Sequence, residues 1–278
     1  MPGIFAMLEK MKFYLLASGS KGNCCVIKTE NTQVVIDCGT TKKYLKNSFE
    51  SLGLDYLKSD AILITHGHKD HISQLKMFSS ILRYASFDPG VEGKQEWVRP
   101  FDTFMINELK VTVLPMSHDA ENTVGYIVES PEEKLVYITD TGYIHQDCLP
   151  LMRDPDYIIL ESNHDVSMLM KTPRPYSIKM RILSDSGHLC NEDCAHVLSQ
   201  IVTERTKSVF LAHLSEEAND PELAVQVSAE ALSHCHCNPG LILKAAGQYE
   251  ILKGGAAYEE APDLDYRTVG SLELNFEH

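Results

Sequence analysis

The chain has 278 residues, 44% of them hydrophobic, enough to fill the core of one large layered domain spanning residues 1–278. No apolar stretch approaches the length needed to cross a bilayer, so a membrane-spanning helix is excluded. A formal net charge of −14 excludes a surface coated with cations for nucleic-acid binding, but it leaves room for a local phosphate site.

The opening, Met1-Pro-Gly-Ile-Phe-Ala-Met, has neither a basic leader nor a long apolar core and does not read as a secretory signal. Residues 1–10 read as an extension, with Met11 as an alternative start. Eight cysteines without an export signal point to reduced thiols and a cytoplasmic setting. Residues 13–17, 24–28 and 34–37 read as short strands, and Gly19 and Gly22 permit a tight turn between the first two. Cys24, Cys25 and Cys38 fall in apolar runs and are expected as small core residues. Residues 41–52 have helical spacing, with Tyr44, Leu45, Phe49 and Leu52 on one face.

The apolar segment 61–65 then runs into His66-Gly67-His68-Lys69-Asp70-His71. Alternation puts the rings of His66 and His68 on one side of an extended segment. Asp70 and His71 follow at the turn into a short helix over 72–77, and Lys69 is expected to point outward. So dense a run of metal-competent side chains rarely serves packing; imidazole suits zinc, manganese and iron, and a carboxylate adds charge and hardness. Further strands are predicted over 81–85, 109–114, 123–129, 135–139 and 157–160. Three later strand-like runs also deliver one ligand each, at His118, Asp140 and His213. A lone polar residue after a strand is more often a cap or turn residue, but four such endings imply convergence. Seven ligands exceed the four that one zinc usually takes, and they suit two divalent ions, zinc or manganese, sharing a carboxylate and a water.

Helices are predicted over 173–183 and 192–203, the second with Asn191 as its N-cap, and another opens at Asp220-Pro221. Strands follow at 208–212, 241–245 and 249–252, and residues 254–278 read as a loose acidic tail. Lys171, Arg174, Lys179 and Arg181 form a basic stretch without an acid, a candidate phosphate-facing surface or else a solvated helix face. His164 and His188 are spare histidines in motif-like settings, expected to contact phosphate or act as general acids, or else to cap a helix. Asn163, Ser186 and Asn191 are placed near substrate by neighbourhood alone. His234-Cys235-His236-Cys237 has no second ligand pair at finger-like distance and reads as a helix end.

The pattern His66-x-His68-x-Asp70-His71, with His118, Asp140 and His213, resembles the metallo-β-lactamase superfamily. Within it, the YycJ/WalJ branch is suggested by Ser18-Gly-Ser-Lys-Gly-Asn23, Ser117-His-Asp-Ala120, Thr139-Asp-Thr-Gly-Tyr143, Glu161-Ser-Asn-His-Asp165, Gly187-His-Leu-Cys-Asn191 and Phe210-Leu-Ala-His-Leu-Ser215. The resemblance implies a four-layer αββα sandwich, an α/β fold with metals along one edge. It implies His66, His68 and His118 on a first metal, Asp70, His71 and His213 on a second, and Asp140 bridging. It also implies DNA exonuclease activity.

The expected function is therefore a two-metal phosphodiesterase or exonuclease acting on DNA through a metal-bridging hydroxide. Asp70, Asp140, His164 and His188 form the expected catalytic set. Asn163, Arg174, Lys179, Arg181 and His188 are expected on the substrate. The rival reading is a small-molecule hydrolase (a lactonase, thioesterase or cyclic phosphodiesterase) on the same dinuclear site, which the acidic charge balance favours. No membrane partner is expected, and a homodimer is compatible with the sequence.

Overall fold

Strands apolar on both faces force each sheet to be covered twice. Residues Ala61–Leu63, Tyr157–Glu161 and Ser208–Ala212 are buried at every position. The fold that results is given by a computed structural model, which describes residues 10–260. In chain order its elements are β1 (Lys12–Ala17), β2 (Cys24–Lys28), β3 (Gln33–Ile36), α1 (Lys42–Ser51), β4 (Ala61–Leu63), α2 (Lys69–Ile72), β5 (Leu82–Ala85) and β6 (Gln95–Trp97). Then come β7 (Thr103–Ile106), β8 (Leu109–Pro115), β9 (Val124–Glu129), β10 (Lys134–Ile138), α3 (Leu149–Met152) and β11 (Tyr157–Glu161). The last part holds α4 (Val166–Lys171), α5 (Tyr176–Ile182), α6 (Asn191–Ile201), β12 (Ser208–Ala212), α7 (Pro221–Ser233), β13 (Ile242–Ala245), β14 (Leu252–Gly255) and α8 (Ala256–Glu260).

One sheet has the order β14-β1-β2-β3-β4-β5-β6 and the other β13-β12-β11-β10-β9-β8-β7. Alternate residues separate the layers, as a period of two requires. Phe13, Leu15, Cys25, Ile27, Val34 and Ile36 face the second sheet, where they meet Tyr126, Tyr137, Tyr157 and Phe210. Leu16, Cys24, Val26 and Val35 face the opposite way, toward Leu45 and Phe49 of α1. Behind the second sheet, Val136, Ile158, Leu160 and Leu211 pack on residues of α6 and α7. The architecture is thus an αββα sandwich. No helix among the described residues is long and apolar enough to cross a membrane.

Most strands lie within a residue or two of expectation, and the departures have local causes. The strands β6 and β7 were not expected; they end the two sheets and are largely exposed, β6 (Gln-Glu-Trp) has no apolar run, and that of β7 (Phe104-Met-Ile106) is only three residues long. The helix expected over 173–183 begins only at Tyr176, because Pro173 and Pro175 bias the residues before them out of helical backbone. Helix α6 is capped by Cys190 rather than Asn191, whose side chain is buried against Ser162 and Asn219. The tail expected from 254 contains the strand β14 and α8; the rest of it, and nearly all of the 1–10 extension, lies outside the described residues.

Close backbone approach holds the histidine-rich loop. A Cβ on Gly39 would lie 1.7 Å from the Asp70 carbonyl oxygen and 2.7 Å from the Asn23 nitrogen. Asn23 N donates to that same carbonyl at 2.8 Å. Gly39→Ala should therefore lower unfolding stability by about 1–3 kcal/mol through overpacking. Its urea midpoint should fall, and an unchanged midpoint would show that the Asp70 loop yields freely.

Candidate metal centre

Parallel strands aim their carboxyl ends at one edge of the sandwich. β3 runs parallel to β4, and β10, β11 and β12 run parallel to one another. Asp37 follows β3, His66 to His71 follow β4, Asp140 follows β10, Glu161 ends β11 and His213 follows β12. Bonds that join the two sheets at this edge include Val124 N to Thr65 O (3.0 Å), Tyr126 Oη to Ile64 O (2.6 Å) and His213 N to Ser18 Oγ (2.7 Å). Asp37, Asp140 and His213 all have left-handed backbone, with φ of 58°, 56° and 54°, which non-glycine residues adopt only when the surroundings enforce it.

Neighbours fix Nδ1 of four of the histidines, as metal-site imidazoles require, and Asn23 Nδ2 lies 2.9 Å from the other nitrogen of His71. His71 Nδ1 donates to Asp37 Oδ2 at 2.7 Å, His118 Nδ1 to the Gly187 carbonyl at 2.9 Å, and His213 Nδ1 to Glu161 Oε1 at 2.8 Å. His188 Nδ1 donates to the same Glu161 oxygen at 2.8 Å. The other oxygen of Glu161 accepts from Thr141 N (2.8 Å) and Leu189 N (3.1 Å).

His66 Nε2 and His213 Nε2 are buried without a hydrogen-bond partner, although buried polar atoms are nearly always paired, and Asp140 Oδ2 faces His71 Nε2 at 3.1 Å. Ligand atoms lie within 4.8 Å of one another in the groups His66-His68-His118, His66-His71-Asp140, Asp70-His71-His213 and Asp140-Glu161-His188-His213. Imidazole nitrogens and carboxylate oxygens in this arrangement fit a divalent ion.

Electrostatics agree with that fit. Burial disfavours the protonated ring of His71, but Asp140 and Asp37 outweigh it and hold its pKa well above the ordinary value. His213 is likewise buried, yet Asp140, Asp70 and Glu161 raise it to about 10. Burial alone would raise Asp140, but His213 and His71 keep it well below the usual carboxylate range. Glu161 falls to about 2, since His188 and His213 outweigh its burial. His66, desolvated and beside His71, is pushed well below the ordinary value. The carboxylates thus hold protons where a cation would sit, and a divalent ion would displace them.

A cavity of about 340 Å³ opens over these donors, lined by His68, Asp70, His118, Asp140, His213 and His188, with Asn163, Arg174 and Arg181 among the other walls. His66 and His71 are buried behind it. Asn163 spends its amide on the His213 carbonyl (2.9 Å), which positions that loop. Two expected residues lie elsewhere. Lys179 is buried, its ammonium on the Met170 carbonyl at 2.7 Å, so it braces α4 against α5 instead of facing phosphate. His164 is outside the cavity wall; its ring is buried and burial lowers its pKa to about 4. In the 234–237 run, Cys235 and Cys237 donate to the Ala231 and Leu232 carbonyls at the end of α7.

Asp37, Asp119 and Glu161 had no expected role. Asp119 Oδ1 lies 3.2 Å from His118 Nε2, and its Oδ2 lies 3.1 Å from Arg181 Nε. Asp37 and Glu161 each carried a signal, an acid closing an apolar strand.

Comparison with known proteins adds the lineage. Residues 32–213 match the family model of the beta-lactamase superfamily domain. An exodeoxyribonuclease YycJ of Bacillus anthracis is 34% identical over 227 residues, which cover 77% of this chain and 86% of that protein. An exodeoxyribonuclease WalJ of Streptococcus pneumoniae is 29% identical over 248 residues, covering 84% and 92%. The crystal structure of the metallo-β-lactamase fold protein YhfI from Bacillus subtilis matches with a TM-score of 0.66 at 16% identity, covering 88% of this chain and 100% of that one. A diphosphatase from the PhnP family matches at 0.64 and 17% identity, covering 90% and 99%. With a family model spanning most of its length and a relative above 30% identity, the chain belongs to the metallo-β-lactamase superfamily, in a YycJ/WalJ-like branch, and is a metal-dependent hydrolase.

Proposed function

We propose that the protein is a two-metal phosphodiesterase that degrades DNA as an exonuclease. The observation that carries this reading is one cavity that joins the histidine-aspartate cradle to two guanidinium groups, Arg174 and Arg181. The naming of its relatives as exodeoxyribonucleases supports the same substrate.

In this reading His66, His68 and His118 would hold one ion, Asp70, His71 and His213 would hold the other, and Asp140 would serve as the shared carboxylate. Bound divalent ions supply Lewis acidity and a water acidic enough to react near neutral pH. Arg174 and Arg181 bind phosphate oxygens of the strand, for which guanidinium geometry is suited. His188 stands at the wall with Nδ1 engaged by Glu161, which leaves Nε2 for substrate. Burial would lower the pKa of His188, but Glu161 and Asp140 outweigh it and raise it above the ordinary value. The shift favours the protonated ring, which in this reading binds the anionic diester and gives its proton to the departing oxygen as the P–O bond breaks.

End-labelled linear double-stranded DNA incubated with the protein and manganese or zinc should shorten stepwise, with two metal ions measured per chain. Asp140→Ala should reduce that activity by at least about a hundredfold, since even residues that only orient metal ligands are worth 10–100-fold. Intact DNA in the presence of two bound ions would shift the substrate to small esters or diesters.

A second outcome concerns pH. Activity that needs protonated His188 persists below its raised pKa and falls as pH rises through it. Glu161→Gln removes the main support for that proton, so at saturating metal the alkaline limb of kcat should move to lower pH. A limb that stays in place would assign the proton to another group.

A further inference from the structure

Arg174 and Arg181 line the metal cavity, and a third cation, Lys21, directly follows Ser20, which lines it from the β1–β2 turn. Lys21 lies in the turn between β1 and β2, Arg174 precedes α5, and Arg181 lies near the end of α5. Each is paired with a carboxylate from another loop. Lys21 Nζ is 2.6 Å from Glu216 Oε2, Arg174 Nε is 2.8 Å from Glu217 Oε2, and Arg181 Nε is 3.1 Å from Asp119 Oδ2. The chain neighbours of the first pair, Ser20 and Ser215, line the cavity itself. Lys21 is further fixed by its backbone N–H, which donates to Gln248 Oε1 at 2.8 Å.

The Lys21–Glu216 pair is exposed, its side chains retaining 56% and 57% of their accessible surface, and in the other two pairs one partner is exposed and the other partly covered, Arg174 at 33% and Asp119 at 26%. Exposed ion pairs hold weakly. A phosphate competes well for the same cations, because it offers several charged oxygens and because a nucleic acid releases condensed counterions when bound. The carboxylates also keep three cations extended toward the mouth in a protein whose net charge is −14.

We propose that Lys21, Arg174 and Arg181 form a three-point phosphate track, held in place by Glu216, Glu217 and Asp119 until phosphates of the substrate strand displace those carboxylates. The proposal rests on the phosphodiesterase reading above and extends it to specificity. A strand with consecutive phosphates can displace several carboxylates at once, whereas a diester with a single phosphate cannot. The track therefore selects polymer over small diester, and Lys21 is the strand contact on the side away from α5.

Steady-state kinetics on linear DNA at several salt concentrations test it, with the metal-loaded full chain. Lys21→Ala should raise KM about three- to tenfold and reduce the slope of log KM against log salt by about 0.7–0.9, the contribution of one phosphate contact. The effect should fall on KM more than on kcat, and Lys21→Arg should restore both quantities. The double variant Glu216→Gln with Glu217→Gln should lower KM, because its cations no longer need to be released. Lys110→Ala, which removes an exposed lysine paired with Glu129 at 2.7 Å near the other end of β8, controls for overall charge and should leave KM unmoved. If the wild type degrades DNA while Lys21→Ala keeps its KM and slope, the track is wrong and the phosphodiesterase reading stands. A raised KM in the double amide variant also overturns the track. If the loaded wild type cleaves bis(p-nitrophenyl) phosphate but leaves DNA intact, the nuclease reading and the track fall together.

Discussion

A single buried carboxylate, that of Glu161, sets the geometry of one side of the active edge. It is fully buried, yet its two oxygens accept from two imidazoles and two backbone amides. A buried charge is tolerated only when it is paired and hydrogen-bonded to this degree. The four donors come from the loop after β10, the turn after α5 and the loop after β12, so one side chain holds three segments in register. On the other sheet Asp37 does the same on a smaller scale. It accepts from Thr65 N (2.9 Å), Thr65 Oγ1 (2.8 Å) and His71 Nδ1 (2.7 Å). Each sheet thus ends in one buried acid that organises histidines, and the two acids face the same gap between the layers.

Ligand positions were legible in the sequence because of where they sit relative to apolar runs. His66, His118, Asp140 and His213 each follow a largely buried strand by one to three residues, so polar side chains just beyond its end emerge at a sheet edge. The same logic applied to Asp37 and Glu161 and would have found them. Other features depend on contacts between distant segments and leave no local mark. His164 and His188 look alike in sequence, but the Glu161 carboxylate takes one, and the interior below α6 takes the other. Lys179 and Arg181 sit two residues apart on one short helix. Helical spacing puts Ile178, Arg181 and Ile182 on the face that lines the cavity, where Arg174 joins them from just before the helix, while Lys179 turns away to the Met170 carbonyl.

Net charge is a poor guide to this site. The −14 total describes a surface whose acids are spread widely, whereas binding depends on the field inside one cavity. There the carboxylates of Asp70 and Asp140 belong to the cradle and would be neutralised by the ions they hold. Glu161 is already matched by His188 and His213. Arg174 and Arg181 are in turn paired at the cavity wall with Glu217 and Asp119, so the charge inside the cavity is set by these local pairs and not by the −14 total.

The edge that binds metal is also the part of the fold least able to stand alone. It concentrates left-handed backbone at Asp140 and His213, buried donors without partners, and histidines whose rings lie 4.0–5.3 Å apart. Each of these features is unfavourable in isolation; a residue forced into a sparsely populated backbone region costs about 1–3 kcal/mol. The layers beneath offset them, because nearly every strand residue leading to the edge is buried on one face against the opposite sheet and on the other against helices. The chain obeys local folding rules through its strands and departs from them only at their ends. That division explains why the fold tolerates such a site. The strain is confined to single residues just beyond strands held by pairing and core packing, while Glu161 fixes the loops that follow them, so the donors are kept from relaxing toward one another.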